Sequence, residues 1–257
     1  MALAESVSTA RRRVAPRFGE QPAPHRIGLI ALSSDMITER DFSLMAPPGG
    51  EVMYYTSRVP LAIPVTVENL RLMGPKLAAA ASLILPTSAL EVIAYSCTSA
   101  SVAIGADEVA AQIHKGRPGV QVVTPISAAM AAFRACNVRR ISLLTPYIEE
   151  VTKAMATFIE NQGTEVLNCA HFDLVDDQDM ARLTPDGIHD AAVEALHPDA
   201  DAVFVSCTGI RTAETLARLE ETLDRPAFCS NQCMFWQALR LSGSTEPVAG
   251  FGRLLMV

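Results

Sequence analysis

Aromatic residues are scarce in this chain, with Phe, Trp and Tyr together making 5% of it. No uninterrupted apolar run reaches the ~18 residues that span a bilayer. An excess of positive charge is also missing. Lys and Arg number 21 against 28 Asp and Glu, for a net charge of −7, which argues against nucleic acid or an anionic membrane as the main partner. No G-x-G-x-x-G follows the first apolar segment, where G-L-I-A-L-S-S (28–34) stands instead. This disfavours a dinucleotide-dependent oxidoreductase, and a P-loop is likewise absent. There is no C-x-x-C and the five histidines are scattered, so a zinc site is not expected. Six cysteines in 257 residues do not make a disulfide scaffold, which belongs to short secreted chains.

What is present is the composition of an ordinary globular protein, 49% apolar and 19% charged. Short Val-, Ile- and Leu-rich segments at 26–32, 90–97, 120–124, 140–145, 165–172, 201–206 and 226–230 lack strict alternation, as parallel strands covered on both faces do. Helical patterns lie between them. In 212–223, Leu216, Leu219 and Leu223 form an apolar stripe; in 146–163, Pro146 suits a first helical turn and Gly163 a C-terminal cap. Strands alternating with helices predict an α/β fold. Residues 1–25, with Arg11-Arg12-Arg13 among small and polar neighbours and no apolar signal core, are expected to form a flexible arm of a cytoplasmic protein.

The order of elements repeats. R-I-G-L-I at 26–30 resembles R-I-S-L-L at 140–144, and Ser-Cys-Thr at 96–98 returns at 206–208. Two matches at similar spacing predict two similar α/β halves, 26–137 and 138–257, with a crevice between them at the carboxyl ends of the strands. Cys97 and Cys207 both fall there. Each is expected to end a strand and precede a helix, where the helix dipole and free backbone N–H groups favour thiolate. The same N–H groups, with the hydroxyls of Thr98, Ser99 and Thr208, suit a carboxylate. Cys136, Cys169, Cys229 and Cys233 have no such pairing and are read as core or incidental thiols.

These segments, with L-L-T-P-Y (143–147), R-P-A-F-C-S-N-Q-C-M-F-W-Q-A-L-R (225–240) and G-F-G-R-L-L (250–255), resemble the aspartate/glutamate racemase superfamily. The resemblance lies with its branch of maleate isomerases, arylmalonate decarboxylases and ectoine-utilisation proteins. A-Y-S-C-T-S-A-S (94–101) and S-N-Q with the following W-x-A-L-R are most similar to the ectoine-utilisation proteins. The resemblance implies two Rossmann-like halves with parallel sheets related by pseudo-twofold symmetry, a cofactor-free site between them, and a homodimer or homotetramer. It implies Cys97 and Cys207 as the catalytic pair and Tyr147 as a donor to a substrate carboxylate. Ser34, Asp35 and Asp177 would line the site, with Thr98, Ser99, Thr208 and Gly209 supplying carboxylate donors. Plain structural roles stay open beside this: Tyr147 as a helix cap and Asp35 as an N-cap.

Maleate isomerases usually carry asparagine in place of Asp35, and a D-N pair is common where Asp176-Asp177 stands here. Two added carboxylates would repel a dicarboxylate dianion and suit a substrate with an ammonium beside its carboxylate. Three mechanisms then compete. Decarboxylases of the branch use only the second-half cysteine, so the presence of Cys97 counts against them. Racemases use two cysteines as acid and base. In maleate isomerases the first cysteine adds to a double bond before rotation and elimination. The implied function is a two-cysteine isomerase of a small carboxylate, with a decarboxylase or a non-catalytic carboxylate-binding protein as alternatives.

Overall fold

His25–Leu32 forms a strand, β1, whose last six residues are buried. Its neighbours in the sheet are β2 (Val52–Val59) and β3 (Val92–Tyr95), and β4 (Gln121–Val123) completes the order β2-β1-β3-β4. The second sheet repeats this plan with β5 (Arg140–Tyr147), β6 (Glu165–Leu174), β7 (Ala202–Val205) and β8 (Ala227–Cys229), in the order β6-β5-β7-β8. All pairings are parallel. The repeat extends to register: Ile27 pairs with Val92, and Ile141 with Ala202. After β3 the Ser96 N–H donates to the Ile30 carbonyl at 2.8 Å, and after β7 the Ser206 N–H donates to Leu144 at 2.8 Å. The computed structural model describes residues 14–257; most of the arm expected over 1–25 lies outside the described residues. Within its last residues, Ala23 is buried and His25 already belongs to β1.

Eleven α-helices connect and cover the described strands. In the first half they are α1 (Thr38–Met45), α2 (Val67–Arg71), α3 (Leu77–Ser82), α4 (Thr98–Ile104), α5 (Ala106–Gly116) and α6 (Pro125–Ala135). In the second they are α7 (Glu149–Asn161), α8 (Asp177–Ala181), α9 (Pro185–Ala195), α10 (Leu216–Leu223) and α11 (Ser230–Leu241). Pro125 at the first turn and the Thr124–Ser127 capping box start α6, as fixed φ and paired end groups favour. Each half lends its last helix to the other. Phe133 of α6 meets Phe204 and Phe228 of the second sheet, with ring centroids 5.5 and 5.2 Å apart. In return α11 packs on β3, β4 and α1, and Phe235 lies 4.9 Å from Phe42. Buried aromatics of this kind supply much of the apolar area that holds the halves together.

Three local expectations are corrected. Val52–Val59 is a strand that no apolar run announces; it is an edge strand buried only at its two ends, with Met53, Thr56 and Arg58 exposed between them. Pro146 does not open a helix. It lies in β5, where the pairing with β6 shifts register between Thr145 and Tyr147; a proline cannot donate to the ladder and is tolerated at such an irregularity. The helix begins at Glu149 and ends as expected, with Gly163 at φ +90° just beyond it. The stripe at 212–223 begins as a 3-10 turn, Ala213–Thr215, before α10.

Candidate active site

In each sheet the chain order reverses between the first and third strands, so a crevice opens at their carboxyl ends. Cys97 and Cys207 each stand two residues past such a strand, after β3 and β7. Both thiols are buried and both line one narrow cavity of about 10 Å³. Asp35, Ser99, Tyr147, Asp177, Thr208 and Gly209 line it with them. Among the described residues, none of those lining the cavity is basic.

Cys97 is the N-cap of α4, and its sulfur accepts the Ala100 N–H at 3.4 Å. The Ser99 hydroxyl lies 3.7 Å away. Cys207 is different, because no helix follows it directly; its sulfur accepts the Gly209 N–H at 3.2 Å across a tight turn. The expectation that these positions favour thiolate is overturned. Burial pushes the Cys97 thiol up to about 12, against the opposing pull of Ala100 and Ser99, with Asp177 and Asp35 adding to the rise. Burial raises Cys207 further, opposed by the Tyr147 hydroxyl and the Gly209 N–H. Loss of water outweighs the few N–H donors. At neutral pH the resting site therefore holds two thiols.

Tyr147 reaches the cavity from the irregular end of β5 and is buried, which drives its hydroxyl well above its ordinary range. It lines the cavity together with Cys97, Ser99 and Cys207, and it does not cap α7, whose N-cap is Ile148. Asp35 is not the N-cap of α1, which is Ile37, but stands two residues before it. Its Oδ1 accepts the Ile37 and Thr38 N–H groups at 2.8 and 2.9 Å, bracing the start of α1, while the side chain also lines the cavity. Its Oδ2 accepts from Ser96 at 3.3 Å. Asp177 begins α8, and burial raises its carboxyl above the usual carboxylate range. Ser34 donates to Asp177 Oδ2 at 2.6 Å and so reaches the site only through that residue. Gly209 leaves room there: a Cβ would lie 3.1 Å from Asp177 Oδ1.

Two donors are otherwise occupied. The Thr98 hydroxyl turns away to Ser230 at 2.9 Å, and Thr98 is not among the lining residues. The Thr208 hydroxyl donates to the Ser96 carbonyl at 3.3 Å, binding the Cys207 turn to the first half. The apolar walls, Leu32, Leu61, Val65, Leu70 and Met180, were not foreseen. Leu61, Val65 and Leu70 follow the strand that the sequence reading missed. Val65 donates its N–H to the Val175 carbonyl at 3.0 Å, so the two halves also meet there. Among the described residues no cluster of three or more His, Cys, Asp and Glu could hold a metal ion, and no helix is long and apolar enough to cross a membrane.

The family model of arylmalonate decarboxylase matches residues 75–255, which include both thiols. The chain belongs to the arylmalonate decarboxylase family. Arylmalonate decarboxylase of Bordetella bronchiseptica is 31% identical over 139 residues, covering 53% of this chain and 58% of that protein. Maleate isomerase of Alcaligenes faecalis is 24% identical over 245 residues, 90% of this chain and 96% of that one. Among solved structures, a Nocardia farcinica maleate cis-trans isomerase, a cysteine-to-serine mutant with a covalently bound succinylcysteine intermediate, superposes with a TM-score of 0.83 at 22% identity. That superposition covers 90% of this chain and 98% of that chain. A double mutant of arylmalonate decarboxylase, glycine to cysteine and cysteine to serine, in its liganded form, gives 0.80 at 27% identity with the same coverages. The family fold is thus the two-sheet arrangement described above.

Proposed function

We propose that the protein is a cofactor-independent two-thiol isomerase of a small carboxylate bearing a positively charged nitrogen. The observation that carries this reading is that Cys97 and Cys207 enter one cavity from two halves of the chain, with Tyr147 lining it beside them. A single thiol would suffice for protonation after loss of CO₂; the second gives either an acid–base pair or a nucleophile with a proton donor opposite.

In the addition route, the Cys97 thiol gives its proton to the Asp177 carboxylate, takes it back at the end of the cycle, and attacks as thiolate at a C=C bond conjugated to the substrate carboxylate. The π electrons move into the carboxylate as an enediolate, the former double bond rotates, and the same electrons expel the thiolate to restore the alkene. The carboxylate would be held by neutral donors around Ser99, Tyr147 and the 207–209 turn. An ammonium would meet Asp35 and Asp177. Its positive charge would also draw a buried thiol toward thiolate, which burial disfavours. This supports an amino-acid-like substrate, in keeping with the resemblance of A-Y-S-C-T-S-A-S to ectoine-utilisation proteins, and a cytoplasmic homo-oligomer is part of the same reading.

The second reading, a decarboxylase, is favoured by the family match over 75–255. Incubation in D₂O with candidate amino, dicarboxylic and arylmalonic acids separates the three chemistries. Geometric isomerisation without deuterium supports addition and elimination. Deuterium at the α carbon of unchanged substrate makes it a racemase, and CO₂ release overturns the isomerase reading.

A further inference from the structure

A buried polar path runs from the first half to the Cys207 turn. Asp41 sits on α1 with no solvent exposure, and Asn231, 1% exposed, occupies the first turn of α11. Nδ2 of Asn231 donates to Asp41 Oδ2 at 2.8 Å and to the Thr208 carbonyl at 2.9 Å, so both of its hydrogens are used. The Thr208 carbonyl and the Gly209 N–H belong to one peptide group. In a planar trans peptide they point in opposite directions. That N–H is the donor to Cys207 Sγ at 3.2 Å. A grip on the carbonyl from one side therefore aims the N–H at the sulfur on the other.

The contrast with the first half sharpens the point. Cys97 takes its donor, Ala100, from the helix that it caps, and the helix itself fixes that N–H. Cys207 has no such helix, so the direction of its donor needs an outside hold. Burying a carboxyl and an amide beside Phe42 and Phe235 is costly, and apolar side chains would fill the space at lower cost. What the polar pair adds is a directed hydrogen bond to the Thr208 carbonyl.

We infer that Asn231, held by Asp41, is a positioning residue that aims the Gly209 N–H at the Cys207 sulfur. The inference rests on Cys207 being a reactive thiol, as in the function proposed above, but it is tested without turnover. The full-length protein is treated with iodoacetamide at a fixed alkaline pH, and alkylation of Cys207 and Cys97 is followed separately by peptide mass spectrometry. Asn231→Ala slows Cys207 by about tenfold, the effect of weakening one hydrogen bond to a charged atom, and changes Cys97 by less than about twofold. Asp41→Asn keeps an acceptor oxygen and stays within about threefold of the wild type. If Asn231→Ala does not fold, Asn231→Leu, of similar size but without donors or charge, carries the same expectation. An unchanged or faster Cys207, or equal changes at both thiols, overturns the inference. A loss in Asp41→Asn as large as in Asn231→Ala overturns the part given to Asp41 as acceptor. Selective slowing of Cys207 in a protein that turns over none of the candidate acids would leave the positioning role standing and remove the proposed function.

Discussion

The Ser34 hydroxyl lies 2.6 Å from Oδ2 of Asp177, joining residues 143 positions apart and tying the first half to the start of α8. This contact holds a buried carboxyl beside Gly209 and both buried thiols. Asp177 raises both Cys97 and Cys207 through its charge.

Removing that charge makes the thiols more acidic. Asp177→Asn should speed alkylation of Cys97 and Cys207 at neutral pH by roughly three- to tenfold, as a lost like charge does. The same variant should weaken binding of ammonium-bearing acids more than of dicarboxylates. Rates by mass spectrometry and affinities by calorimetry check it; slower thiols would contradict the charge argument.

Tyr147 offers the converse case. Its hydroxyl lowers Cys207 and faces Ser99, so Tyr147→Phe removes a donor from thiolate and substrate together. Turnover should fall roughly a hundredfold, the effect of losing one preorganised donor, with little change in melting temperature. A variant that kept full activity would show that the hydroxyl only packs.

Replacing either cysteine isolates chemistry from binding. Cys97→Ser and Cys207→Ser should each lower turnover by at least about a thousandfold while ligand affinity stays within a few-fold, since the binding donors remain. Steady-state kinetics with calorimetry decides the matter. If both variants turn over normally, the pair is not catalytic.

Asp41 links the same region to pH. Burial raises its carboxyl to about 7, against a hydrogen bond from Asn231 and the charge of Arg40; Glu214 and Asp35 add to the rise. Between its unfolded range near 4 and the folded value near 7, the folded state holds the extra proton. Stability from this group is therefore complete at acid pH and is lost as pH rises toward 7, by on the order of 4 kcal/mol at most. Asp41→Asn should match the wild type at low pH and be the more stable protein above neutrality, as read by urea unfolding across pH. A constant gap between the two would exclude the titration of Asp41 as its cause.

Seven of the eight described strands were legible as apolar-rich runs; five of them are buried along most of their length, whereas the edge strand Glu165–Leu174 alternates between half-buried and exposed residues. The eighth, Val52–Val59, faces solvent at a sheet edge and left no such run. Cys97 and Cys207 could be paired because one local plan recurs in each half. Thr98 shared that plan, yet its hydroxyl turns to Ser230; a sequence pattern does not carry rotamers. The thiol state was misjudged because local N–H donors can be read from a strand–helix junction, whereas desolvation depends on walls such as Leu70 and Met180 that arrive from distant segments. Contacts such as Ser34–Asp177 and Asn231–Asp41 connect opposite halves and obey no local spacing.

The matched register of the two sheets has a consequence for how such a site can change over generations. A half-length ancestor that paired with itself would present the same side chain twice at every position around its axis. With both copies on one chain, each may vary alone. Ser33 stands where the second half has Tyr147, and Tyr95 where the second half has Val205. Covalent linkage is what allows one thiol to cap a helix and the other to sit in a turn, and hence lets the two walls of one cavity differ.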